Sequence, residues 1–168
     1  MPASVPRRRL DFRSFDTLLA DAERLAREGY DRAGKWSLAQ ALDHVGAGLR
    51  VALTGSAKRM PWPMRVTARS LALPLMRAWR WIPAGIPAPA WWQPQVPADA
   101  DDAAAVARFR AEVEAFDAHA GPYHPHPAFG RLDREAYADL MLIHASHHLG
   151  FLVPRGTATA RRSAAGAP

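Results

Sequence analysis

Cysteine is absent from all 168 residues. That excludes disulfides, thiolate metal ligands and a cysteine nucleophile, so any metal site must be built from histidine, carboxylate and water. The absence suits a reducing compartment, and a cytoplasmic location is expected. A long apolar run is missing as well. Arg7-Arg8-Arg9 is followed by Asp11, Arg13 and Asp16, where a signal peptide would carry an apolar stretch of about 7–15 residues. The longest uncharged segment, Trp81 to Ala98, contains Pro83, Pro87, Pro89, Pro94 and Pro97, a density that no membrane helix tolerates. No membrane partner is expected. Lysine is scarce: Lys35 and Lys58 are the only two among 22 basic residues. The net charge of +6 is therefore an arginine excess, which reads as compositional bias. Without a helix-turn-helix signature, a zinc finger or the aromatic-basic interleaving of an RNA-binding sheet, nucleic acid is not an expected partner.

What remains, 49% hydrophobic and 23% charged residues, is globular composition. Periodicity predicts one domain over residues 1–154 with four long helices, at about 14–28, 37–53, 99–120 and 133–152. Gly29 stops the first, Ser37-Leu-Ala-Gln40 matches a capping box for the second, and Asp99 to Asp102 suit the start of the third. Between helices 2 and 3 lies a long crossover, 55–98, in which Met64 to Arg80 can hold a helix broken near Pro74. The tail 155–168 is small, polar and basic, and is expected to be disordered. No strand is predicted.

The chemistry gathers around His144-Ala-Ser-His-His148 in the fourth helix. At about 100° per residue, His144 and His148 share the inward face one turn apart, whereas His147 belongs to another surface. On helix 2, His44 has Ser37, Ala41 and Gly48 beside it. Such small residues either leave space next to the imidazole or let two helices approach closely. Short links within each helix pair imply antiparallel neighbours, and the long crossover permits an up-down-down-up order. In that order the start of helix 2 and the end of helix 4 share one end, and three imidazoles meet. An up-down-up-down order would keep His44 away from His148. His124 and His126 precede helix 4 and lie roughly 16 Å below His144 unless their loop folds back. Tyr30, Trp36, Trp91 and Trp92 fall at the histidine end, where they would wall or cover a pocket.

Trp36-Ser37 followed by His44, and His144-x-x-x-His148 on the last helix, resemble the DinB-like superfamily of four-helix metalloenzymes. The closer resemblance is to its domain of unknown function 1569, through Leu10-Asp11-Phe12, Asp43-His44, His126-Pro-x-Phe129-Gly130, His147-His148-Leu149 and Phe151-Leu152. The resemblance implies an all-α, up-down-down-up four-helix bundle, a divalent metal on His44, His144 and His148, and often a homodimer. Superfamily relatives include thiol-dependent S-transferases and a maleylpyruvate isomerase.

Three neutral imidazoles suit Zn²⁺ first, with Ni, Fe or Mn as alternatives, and leave a coordination position for water or substrate. Two functions follow as expectations. One is a metal-dependent enzyme of group transfer or hydrolysis acting on a small molecule. The other is a metal-stabilised binding or dimerisation module without turnover. His147 and His126 are candidates to support the ligands from behind. Asp43 points away from His44, Asp139 lies two turns from His144, and neither stands out as a general base. The group from Arg65 to Arg80 is expected mainly as a solvated face.

Overall fold

The computed structural model describes residues 6–155; the tail expected to be disordered lies, beyond Arg155, outside them. Helices dominate: α1 (Phe15–Glu28), α2 (Leu38–Thr54), α3 (Trp62–Thr67), α4 (Leu73–Trp79), α5 (Asp102–Ala118) and α6 (Arg134–Leu149). Local chemistry sets the ends of the long ones. Ser14, Asp101 and Asp133 each accept a backbone N–H in the first turn of α1, α5 and α6. Ser37 and Gln40 form both halves of the capping box of α2. Gly29 and Gly55 end α1 and α2 at φ 72° and 79°, a region costly for residues with a Cβ.

The long helices α1, α2, α5 and α6 share one core, in which Leu18, Leu25, Leu42, Leu49, Phe109, Phe116, Tyr137 and Met141 are fully buried. Cross-helix contacts give the relative directions. His44 meets His144, and four residues later Gly48 meets Met141 and accepts from the Tyr137 hydroxyl at 3.3 Å, so α2 and α6 run in opposite senses. Asp102 caps Ala39 N–H and Glu112 pairs with Arg50, so α2 and α5 run in the same sense. Phe15 packs on Phe116 and Glu23 pairs with Arg110, which makes α1 and α5 opposite.

Two features depart from expectation. The all-α reading needs a two-stranded antiparallel ribbon, β1 (Tyr30–Arg32) with β2 (Leu152–Pro154), registered Tyr30↔Pro154 and Arg32↔Leu152. It sews the α1–α2 connector to the chain leaving α6. Ala33 N–H to the Phe151 carbonyl and Arg155 N–H to the Gly29 carbonyl extend it. The second departure is Pro74, which does not break the crossover helix. Residues Ala68–Ala72 form a π-helical turn joining α3 to α4 in one rod. A proline ring collides with the carbonyl four residues back in a regular α-helix, and the widened turn just before Pro74 relieves that collision.

Candidate metal centre

Ser37 starts α2, so His44 emerges two turns later, buried, at the level where the last two turns of α6 present His144 and His148. His44 Nδ1–H donates to the Trp92 carbonyl at 2.7 Å, which aims Nε2 inward. His44 Nε2 lies 3.1 Å from His144 Nε2, and His148 Nε2 lies 3.0 Å from the same atom. The three residues offer ligand atoms all within 4.8 Å of one another. Trp36 closes one side, stacked on His148 at 4.9 Å and 21° and tilted over His44 at 4.7 Å. The β1–β2 ribbon brings Trp36 there. It needs a close approach at Gly34, where a Cβ would stand 3.1 Å from the Phe151 side chain.

The donor set fits a cation better than a hydrogen-bonded cluster. With Nδ1–H committed to Trp92, neutral His44 has only a lone pair at Nε2. His144 Nε2 faces both that lone pair and His148 Nε2, yet carries at most one hydrogen. If it donates to His44 it cannot also receive from His148; if it accepts from His148, two lone pairs face each other at 3.1 Å. A tetrahedral ion at about 2.0–2.1 Å from each nitrogen would set the nitrogens about 3.3 Å apart; the two contacts at His144 Nε2, 3.1 and 3.0 Å, lie near that value, while the set as a whole spans up to 4.8 Å and would have to draw in around an ion. Burial also holds the rings in the ligand form. His144 and His148 are pushed well below the usual histidine range, first by desolvation and then by their neighbours' charges, and His44 is lowered by desolvation. Three nearby histidines that could hold a metal ion are thus present.

The family model of a protein of unknown function, DUF1569, matches residues 5–155. The chain belongs to the DUF1569 family. No curated protein and no solved structure matches it.

Around the triad of this DUF1569 protein, the other expected residues fall in graded positions. Trp92 reaches the site through its carbonyl, and its ring packs on His126 at 5.8 Å. Trp91 packs edge-to-face on Trp92 at 5.1 Å. The Tyr30 hydroxyl accepts the Leu38 N–H at 2.8 Å and helps to start α2. His147 is outside the triad but packs edge-to-face on His148 at 4.7 Å; its Nδ1 sits 3.0 Å from the Ile82 carbonyl and 3.1 Å from the Arg7 guanidinium. Burial, then the Arg7 charge, pushes it down to about 4. His126 is nearer the site than helix rise alone implies. Its loop folds back through the His126↔Gly130 bridge and His124 N–H to the Ala52 carbonyl, burying His126 against Trp92 and Tyr137. Nδ1 of His126 accepts from Ala128 and Phe129 N–H, and desolvation lowers the ring to about 4.

Two sequence alternatives resolve. Gly48 serves close helix approach, since a Cβ there would lie 2.5 Å from Met141 Sδ. The arginines of 65–80 stay at the surface, with Arg69 and Arg77 exposed, but they are engaged there: Arg69 donates to the Phe129 and Arg131 carbonyls, while Arg77 and Arg80 pair with Asp139. Sequence reasoning missed Arg7, which bridges the Ile82 carbonyl and the face of Phe151 at 4.6 Å, and Ser146, whose Oγ accepts Phe12 N–H at 2.9 Å. Neither belongs to a periodic pattern that could have revealed it.

Proposed function

We propose that this protein is a DinB-like metal-dependent enzyme, performing group transfer or hydrolysis on a small molecule at a divalent ion held by His44, His144 and His148. Zinc is the foremost candidate for a set of three neutral imidazoles, with nickel, iron or manganese behind it. The observation that carries this reading is the convergence of three Nε2 atoms from positions a hundred residues apart, in an arrangement that imidazole hydrogen bonds alone do not satisfy. The helix directions support an up-down-down-up four-helix bundle of α1, α2, α5 and α6, the architecture expected of such an enzyme.

When bound, the ion would supply Lewis acidity to a substrate group or to water. The protein's own part is orientation and shielding: Trp92 fixes the His44 ring through its carbonyl, and Trp36 covers the triad from one side. Asp43 is held by Arg50 and Gln95 N–H, and Asp139 by Arg77 and Arg80. With both carboxylates engaged elsewhere, group transfer is favoured over carboxylate-assisted hydrolysis. Cobalt substitution tests the proposal. The expected result is one Co²⁺ per chain, with a visible spectrum that azide or a small thiol perturbs. A spectrum unmoved by either would make the site structural, and no cobalt uptake would remove the metal altogether.

A further inference from the structure

Among the described residues, every large hydrophobic side chain that stands out as exposed lies in one stretch: Trp62, Met64, Val66, Leu71, Leu75, Trp79, Trp81 and Ile86. Scattered exposed apolar residues need no explanation, but a contiguous set does. Trp62 is 73% exposed and Trp79 is 65%, values unusual for tryptophan. Trp62 and Val66 are one turn apart, as are Leu71, Leu75 and Trp79 on the other side of the π turn, so the rod presents an apolar face to solvent.

The rod is turned inside out relative to an ordinary amphipathic helix. Its body side carries Arg69, Arg77 and Arg80, bound to the Phe129 and Arg131 carbonyls and to Asp139, beside the few apolar anchors Leu73 and Met76. Charged groups hold the rod to the molecule while hydrophobic ones face away. The charge is one-sided too. Between Asp43 and Asp99 the chain contains no acidic residue, whereas it contains Arg50, Lys58, Arg59, Arg65, Arg69, Arg77 and Arg80. Among these, Lys58, Arg59, Arg65 and Arg69 form no ion pair among the described residues, and exposed Lys58 and Arg59 lie four and three residues before Trp62.

We propose that this face docks the protein on an anionic lipid surface, the rod lying in the plane of the headgroups with Trp62, Leu71 and Trp79 dipping into the acyl boundary. Among the described residues no helix is long and apolar enough to cross a membrane, so the contact is with the bilayer's surface. It adds a partner that the lack of a spanning segment had not suggested. Interfacial helices combine this content of tryptophan and aliphatic side chains with basic residues, and tryptophan suits a boundary that is apolar at one end and wet at the other. Charge favours this occupant over a second copy of the chain: a copy meeting the face through the same segment, which has no acidic residue between Asp43 and Asp99, would bring no carboxylate from that segment to exposed Lys58 and Arg59. Anionic headgroups instead supply the missing countercharge, worth about fivefold in affinity for each cation near the surface.

The test uses the full chain, loaded with zinc, and sedimentation with vesicles. Binding is expected to vesicles of phosphatidylcholine containing phosphatidylglycerol, to weaken as salt is raised, and to be slight on phosphatidylcholine alone. Brominated lipids should quench tryptophan emission on binding. The double variant Trp62→Ser/Trp79→Ser should bind at least tenfold more weakly, and Lys58→Glu/Arg59→Glu about 25-fold or more. All four positions are exposed and away from the histidines, so helical circular dichroism and metal uptake should be unchanged. Equal binding to both vesicle types, or none to either, overturns the proposal. So does a concentration-dependent dimer in sedimentation equilibrium that Leu71→Asp abolishes, because that face would then belong to a second copy.

Discussion

Replacing His148 by alanine removes one of three imidazoles whose Nε2 atoms converge, and the effect can be worked out with and without metal. Without metal the loss is small. The stacked contact with Trp36 disappears, costing about 1 kcal/mol, while one of the two crowded Nε2 contacts is relieved. With metal the difference is large. Structural zinc sites contribute about 10–16 kcal/mol, or roughly 2.5–4 kcal/mol per ligand when shared over four ligands; deleting one, at the middle of that range, should raise Kd by about 200-fold. At free zinc a hundredfold above the parent's Kd, binding stabilises the parent by about 2.7 kcal/mol. For a chain of this size that is a rise in Tm of about 5–11 °C. In the variant the same zinc falls to about half of Kd, and the gain drops to about 0.2 kcal/mol, under 1 °C.

Thermal unfolding with and without zinc reads this directly, with His124→Ala as control. His124 is exposed and outside the triad, so that variant should keep the full zinc-dependent shift. If His148→Ala keeps it as well, the imidazole of His148 is not a ligand, and the proposed centre fails whatever the activity.

Three further outcomes are expected. His126 is neutral in the fold at about 4 against an unfolded value near 6.5, so below pH ~6.5 the unfolded chain binds the extra proton. Stability should fall by about 3 kcal/mol as pH drops from 6.5 to 4 on this account alone. His126→Asn keeps an acceptor for Ala128 and Phe129 N–H, and should flatten urea-derived stability over that window; an unchanged slope would refute the assignment. Arg80 adopts φ 48° while its half-sequestered guanidinium serves Asp11, Asp139 and the Phe12 carbonyl. Arg80→Ala should lose about 3 kcal/mol, and Arg80→Gly about 1 kcal/mol less because glycine accepts the left-handed backbone; equal losses in denaturant titrations would show the strain to be negligible. Gly48→Val meets Met141 Sδ and should cost about 2 kcal/mol. It should also weaken zinc affinity at least tenfold by calorimetry, since the α2–α6 spacing sets how closely His44 approaches His144; unaltered affinity would separate helix spacing from the site.

The residues that sequence reasoning placed well are those whose position follows from a helix's own periodicity and caps. Ser37 and Gln40 start α2 by a four-residue signal, so the level of His44 follows, and His144 and His148 share a face by spacing alone. What it could not reach depends on partners more than a hundred residues away. The strands Tyr30–Arg32 and Leu152–Pro154 are three residues each, too short for alternation to show, and exist only because each supplies the other's ladder. Arg7 beside His147 has the same character. His126 takes the exception that helix rise of about 1.5 Å per residue leaves open, since its loop folds back through a bridge to Gly130 and a bond from His124 N–H to Ala52.

The crossover shows the limit most sharply. Local pattern suggests only that Met64 to Arg80 can hold an arginine-bearing helix broken near Pro74, and not which side the molecule keeps. Solvation favours arginine outward, and that is what the sequence alone suggests. Asp139 on α6 and the free carbonyls of Phe129 and Arg131 reverse the preference, because each offers a partner that water would otherwise have to be. Once those partners claim the arginines, Trp62, Leu71 and Trp79 have no core left to enter. An apolar face exposed in this way is a consequence of tertiary pairing, and it persists only if something outside the chain compensates for its exposure.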